Sequence, residues 1–194
     1  ELFGVYRNGA LMVAAPNDYH RGAVVFEPTE AVFATGQKSI PPLVKGNQLP
    51  GVIDAATALQ LAFAQNVEIG SKVAIIGTGK ETAIADRLRS IGANIVHVGP
   101  VDQLVEIRGR RKVSSILTPQ KIECDVVIHA GPYQSEPSLG FQSSADGLFQ
   151  MQARPLPQQI TLVGSAALPN ERIHAKHVHS DALVCPCMDV TAGE

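Results

Sequence analysis

The stretch "KVAIIGTGKETAIA", residues 72–85, decides the fold. Residues 73–76 form a short, wholly apolar run, the mark of a strand buried on both faces. Gly77-Thr78-Gly79 then supplies a tight turn, and a helix is expected from about Lys80 to Ile91. Gly92 stops that helix, and residues 94–98 give the next strand. Strand, glycine turn, helix and strand in this order make a βαβ unit of the dinucleotide-binding kind.

The turn fills only part of the G-x-G-x-x-G fingerprint. Gly77 and Gly79 occupy the first two glycine positions, and Thr82 stands in the third. There its branched side chain is expected to hold the helix slightly off the strand. The backbone donors from Gly79 to Glu81 are expected to be free for a phosphate. Lys80 adds a positive charge beside them, and Glu81 a negative one. The following strand ends His97-Val98-Gly99-Pro100, with no carboxylate before Asp102 to take ribose hydroxyls and no arginine for a 2'-phosphate. A nucleotide-shaped fold is therefore expected, with Gly77, Thr78, Gly79 and Lys80 as candidate cofactor-binding residues.

Outward from this unit, the N-terminal third reads as β structure. "LFGVYRNGALMVAA" places two apolar runs around Asn8-Gly9, a hairpin dipeptide. "AVVFEPTEAVFATG" gives a second pair of runs about Pro28 and Thr29, completing a meander that ends at Gly36. "QKSIPPLVKGNQLPG" is punctuated by Pro41, Pro42, Gly46, Pro50 and Gly51 and reads as an ordered link. Asp54 is the expected N-cap of a helix, "AATALQLAFAQN", whose few charges predict packing on most sides. Beyond the βαβ unit, residues 105–131 offer two or three short strands with turns near Gly109 and Pro119. The basic run Arg108, Arg110, Arg111, Lys112 reads as a solvated hairpin tip. Residues 133–150 are loop-like, and residues 160–163 form another apolar run ending in Gly164-Ser165.

The 194 residues suit one good-sized domain or two small ones. A net charge of -2 gives no electrostatic reason to expect nucleic acid or an anionic membrane as partner. No apolar run approaches the roughly 20 residues that span a bilayer. Three cysteines are too few for a disulfide scaffold, so a reducing, cytoplasmic setting is expected. The first residue is Glu1, which leads us to expect a piece of a longer chain.

Three features in one order, "EAVFATG", then "KVAIIGTGKETAIA", then "DVVIHAG" with "ITLVGSAA", resemble the two-dinucleotide-domain flavoproteins of the pyridine nucleotide-disulfide reductase superfamily. Within it, "ATGQKSIPPLVKGNQLPGVIDAATALQL" is similar to the alpha subunits of sarcosine oxidase, dye-linked proline or hydroxyproline dehydrogenase, opine oxidase and hydrogen cyanide synthase. "VCPCMDVT" near the end is similar to the start of the iron-sulfur segment that follows the flavin domain in many of these subunits.

The resemblance implies an α/β fold, a Rossmann-like βαβ unit in three layers with a mostly parallel sheet, flanked by antiparallel strands of an incomplete FAD-binding domain. The implied division is residues 1–50 as part of the FAD-type domain and link, 51–130 as the nucleotide-binding domain, and 131–194 as a return to the FAD-type domain and the start of the iron-sulfur segment. It further implies FAD in the intact protein, held in part by Thr35, Gly36, Gly164 and Ser165. NAD or ATP are the implied ligands of the inserted unit. The implied partner is a catalytic beta subunit of a hetero-oligomeric dehydrogenase, which would oxidise the amine while this chain binds nucleotide and passes electrons.

Two departures stand out. No G-x-G-x-x-G precedes Phe26, and Gly164-Ser165 replaces the family's Gly-Asp. The alternative reading is a non-catalytic adenine-nucleotide-binding or structural scaffold module. Cys185 and Cys187 would be two of the four thiolates of a [2Fe-2S] cluster. With His174, His177 and His179 upstream, a mixed zinc site and a plain exposed tail are the other readings. Cys124 reads as a small buried residue, and His20 and His129 as ordinary loop or strand-end histidines. No catalytic triad or carboxylate pair is apparent.

Overall fold

The computed structural model describes residues 2–5, 11–14, 23–26, 29–135, 160–168, 183–185 and 190–191. The chain divides into two compact units, Glu1–Lys38 with Gln134–Asn170, and Ser39–Tyr133 with Glu171–Glu194.

In the first unit, β1 (Leu2–Val5), β2 (Leu11–Ala14) and β3 (Ala23–Phe26) form an antiparallel meander. The expected fourth strand, β4 (Ala31–Phe33), does not continue it. It pairs in parallel with a strand far along the chain, Ile160–Leu162, and the Val163 amide extends the ladder to the Phe33 carbonyl at 3.0 Å. A parallel partner cannot come from an adjacent hairpin, so nothing local in the sequence signals it. β5 (Gln37–Ser39) carries the chain out of this unit.

The second unit is built on a parallel sheet. Its strands are β6 (Val52–Asp54), β7 (Val73–Gly77), β8 (Ile95–Pro100) and, after β9 (Glu106–Gly109), β10 (Val113–Leu117) and β11 (Lys121–Glu123), β12 (Val126–Ala130). The spatial order is β6-β12-β7-β8, so the last strand to arrive slots between the first two. β7 is apolar throughout, and β12 at every position but His129, because both faces are covered. Val73, Ile75, Val126, Ile128 and Ala130 pack against helices α1 (Ala55–Leu59) and α2 (Glu81–Arg89). Ala74, Ile76 and Val127 point the other way, against Ile107, Val113 and Ile116 of the antiparallel meander β9-β10-β11 and the flanking Leu104 and Cys124. The layers are thus helices, parallel sheet and meander, and the β8-to-β12 crossing runs through strands rather than a helix.

The local signals act as expected at both helices. Asp54 caps α1, accepting from the Thr57 amide at 3.0 Å and the Thr57 hydroxyl at 2.5 Å. The expected single helix continues after Leu59 as a π-helical turn, Gln60–Ala64. Only the small residues Ala55, Ala58 and Ala62 are buried along it, so it packs on one face and not on most sides. α2 ends where Gly92 takes a positive φ of 85°, its amide donating to Arg89 O and that of Ala93 to Leu88 O, which is a Schellman cap. The link before β6 is ordered, as anticipated. Gly46 there lies so close to the meander that a Cβ would meet the Ile107 carbonyl.

After β13 (Tyr133–Ser135) and β14 (Ile160–Leu162), β15 (Leu183–Cys185) and β16 (Val190–Thr191) form an antiparallel pair. Among the described residues no helix is long and apolar enough to cross a membrane. Because Ile76 is fully enclosed and Ile91 is 48% exposed, Ile76→Ala should cost about 2–5 kcal/mol of stability and Ile91→Ala less than about 1, measured by urea unfolding.

Candidate functional site

Ligands of open α/β sheets bind beyond the carboxyl ends of the strands, and that end of β7 carries the glycine turn. Gly77 is buried against β12: a Cβ there would lie 2.7 Å from the Ala130 carbonyl and 2.8 Å from the Glu81 Oε2. The first glycine is therefore required by packing. Gly79 has φ of 121° with open space around its α-carbon, which suits the second glycine position.

Of the donors expected to be free, Gly79 to Glu81, the first is taken, as is the Thr78 amide before it. The Thr78 amide donates to the Ala130 carbonyl at 3.3 Å, and the Gly79 amide to Glu81 Oε2 at 2.6 Å. Lys80 lies over the Tyr133 ring, its Nζ 4.0 Å from the centroid. Thr82, expected to prop the helix off the strand, is exposed, while Ile84, Ala85 and Leu88 make the contact. At the end of β8 the carboxylate position is filled differently. A Cβ on Gly99 would fall 2.7 Å from His97 Nε2, so the imidazole lies over the glycine. Burial holds that imidazole below its ordinary pKa.

Sequence reasoning passed over the polar group next to this edge. His129 sits in β12 and is 5% exposed. Its Nδ1 lies 2.7 Å from the Ser39 hydroxyl, whose oxygen also accepts from the Gly131 amide at 2.8 Å. Burial drives the imidazole pKa down to about 4, against the opposing pull of the Asp54 carboxylate. Neutral His129 and the Ser39 hydroxyl thus share one hydrogen bond, and the hydroxyl also lies 3.3 Å from the His129 carbonyl. A histidine within an otherwise apolar strand was the available signal. Asp54 is itself held low: burial raises its pKa, and the hydrogen bonds from Thr57 outweigh this.

In the first unit the structure brings together Thr35, Gly36, Gly164 and Ser165 beyond the parallel ends of β4 and β14. A Cβ on Gly36 would be 3.6 Å from Ser165 Oγ, and both glycines have positive φ, 76° and 65°. Ser165 opens the 3-10 turn with Ala166 buried beneath it, and Thr35 and Ser165 are exposed. Cys185 lies in β15; Cys187, His174, His177, His179 and His20 lie outside the described residues. Among the described residues no cluster of ligand side chains could hold a metal. Cys124 is 2% exposed, and burial, with Asp125 adjacent, pushes its thiol up to about 11. Its burial is as expected. The basic hairpin tip at residues 108–112 is exposed, also as expected. A cavity of about 450 Å³ lined by Val67, Ile69, Ile91 and Asn94 opens at the other, amino end of the sheet, away from the glycine turn.

The parallel sheet, glycine turn and capped helix define a Rossmann-like α/β fold. Similar folds among solved structures include L-proline dehydrogenase from P. horikoshii, 21% identical over 86% of this chain and 35% of that one, TM-score 0.65. An FAD-dependent pyridine nucleotide-disulphide oxidoreductase from Desulfovibrio vulgaris is 16% identical over 74% of this chain and 45% of that one, TM-score 0.50. A NAD-dependent persulfide reductase from A. fulgidus is 15% identical over 85% and 38%, TM-score 0.50. The chain therefore spans less than half the length of these proteins. No protein-family model and no curated protein matches it.

The depressed histidine gives a pH signature. A histidine in an unfolded chain titrates near 6.5, so the contribution of neutral His129 is complete above that pH. It is lost as the pH falls towards about 4, in total about 3 kcal/mol. His97, also depressed, adds to the same window, whereas Asp54 and Asp125 lose theirs only below the ordinary carboxylate range. His129→Gln should flatten most of the decline in urea midpoint between pH 6.5 and 4; an unchanged decline would place the effect elsewhere.

Proposed function

We propose that this chain is the central portion of an FAD-dependent oxidoreductase acting on amines or amino acids. The carrying observation is the meeting of the Ala34-Thr35-Gly36 end of β4 with the Gly164-Ser165 end of β14, at the carboxyl edge of a parallel pair. That edge suits an extended polar chain such as the flavin's, with the exposed hydroxyls of Thr35 and Ser165 beside it. Ser165 in place of a carboxylate makes a weaker, uncharged hydrogen bond to a sugar hydroxyl. Bound FAD would supply the acceptor for a hydride or electron pair. The residues here position it and keep the backbone close. The similarity in fold to a proline dehydrogenase supports an amino-acid donor.

On the same reading, the amine is oxidised on a catalytic beta subunit, and Cys185 and Cys187 contribute two thiolates to a [2Fe-2S] cluster completed by further residues. The small number of cysteines, too few for a disulfide scaffold, supports a cytoplasmic location on this reading. The second reading, a non-catalytic scaffold module, is favoured by one observation, the Gly79 amide being taken by Glu81.

The test is the full-length protein co-expressed with its neighbouring subunit genes. It should carry flavin by absorbance and reduce a dye with proline, hydroxyproline or sarcosine, while the isolated 194-residue chain shows no turnover. Absence of flavin, or dye reduction by NADH with no response to any amine, would overturn the proposal.

A further inference from the structure

The glycine turn of the second unit does not fit the dinucleotide that its fold leads one to expect. A diphosphate in such a turn needs the concavity above the first glycine and the amides that follow it. Here Glu81 Oε2 takes the Gly79 amide at 2.6 Å and also lies 2.8 Å from where a Cβ on Gly77 would be. One carboxylate oxygen thus occupies both the donor and the hollow. The Thr78 amide is spent on Ala130. Lys80, the nearby cation, is over Tyr133. At the ribose end, the imidazole of His97 covers Gly99, and the nearest following acid, Asp102, is exposed in the 3-10 turn beyond the strand.

We infer that Glu81 is an internal stand-in for phosphate, which closes this turn to NAD, NADP and ATP in the native chain. A ligand diphosphate would have to displace a carboxylate bound through a charge-assisted hydrogen bond and then sit beside its negative charge. Glu81 is the second residue after Gly79 and begins α2, which places its side chain back over the turn. The inference rests on the dinucleotide fold of the second unit and not on the flavin reading, so flavin content and nucleotide binding fail independently.

The experiment is calorimetric titration of the 194-residue chain, its Glu81→Ala and Glu81→Gln variants, and the double variant Glu81→Ala/Gly79→Val, with NADH, NADPH, ATP and ADP-ribose. Circular dichroism verifies the fold of each. The native chain should show no binding up to millimolar ligand. Removing the carboxylate should bring at least one ligand into range with at least a tenfold gain, Glu81→Ala more than Glu81→Gln, and Gly79→Val should abolish the gain. Micromolar binding by the native chain, or folded Glu81 variants that still bind none of the four, would overturn the inference.

Discussion

Burial of β7 and β12 on both faces is the constraint on which the second unit depends. Residues 73–76 are wholly inaccessible, as are Val127, Ile128 and Ala130. Side chains alternate along a strand, so each must find an apolar surface on both sides. Helices α1 and α2 provide one cover and the β9-β10-β11 meander the other. Removing either layer would expose apolar side chains of both strands to water. The same packing brings Gly77 against Ala130, which is why no side chain can stand at that position.

A two-sided sheet leaves its polar business to the strand ends. At the amino end, Asp125 accepts from the Ser71 hydroxyl at 2.6 Å and from the Ser71 and Lys72 amides. Burial works to raise the Asp125 pKa, and these bonds overcome it and hold it low. At the carboxyl end, His129 and Ser39 satisfy one another and the Gly131 amide. Each pair joins residues more than fifty positions apart. The paired polar groups thus fix register where the apolar contacts, being non-directional, do not.

At the carboxyl edge, packing and ligand binding make separate demands. Gly77 and Gly79 answer to packing and to backbone angle, and both demands persist whether or not a nucleotide is present. The ligand-facing requirements are separate, and the structure meets them with its own side chains, Glu81, His97 and Lys80.

Much of this was legible in local sequence. Residues 72–98 announced strand, turn, helix, glycine stop and strand, because the period of apolar residues and the conformational freedom of Gly92 are properties of a few neighbouring positions. The Asp54 cap, the exposed basic hairpin and the buried Cys124 were legible for the same reason. The Gly36 and Gly164 pair was legible only through the order of motifs.

What the sequence by itself determined, then, is the α/β character and the candidate glycine turn. Only the tertiary structure decided that β12 enters between β6 and β7, that β4 leaves its meander for β14, and that His129 pairs with Ser39. It alone decided which way the carboxylate of Glu81 turns. Backbone hydrogen bonds between distant strands are chemically alike whichever strands they join, so pairing is chosen by how the whole core closes. The direction of a side chain at a turn is likewise chosen by the donors that this closure leaves within reach.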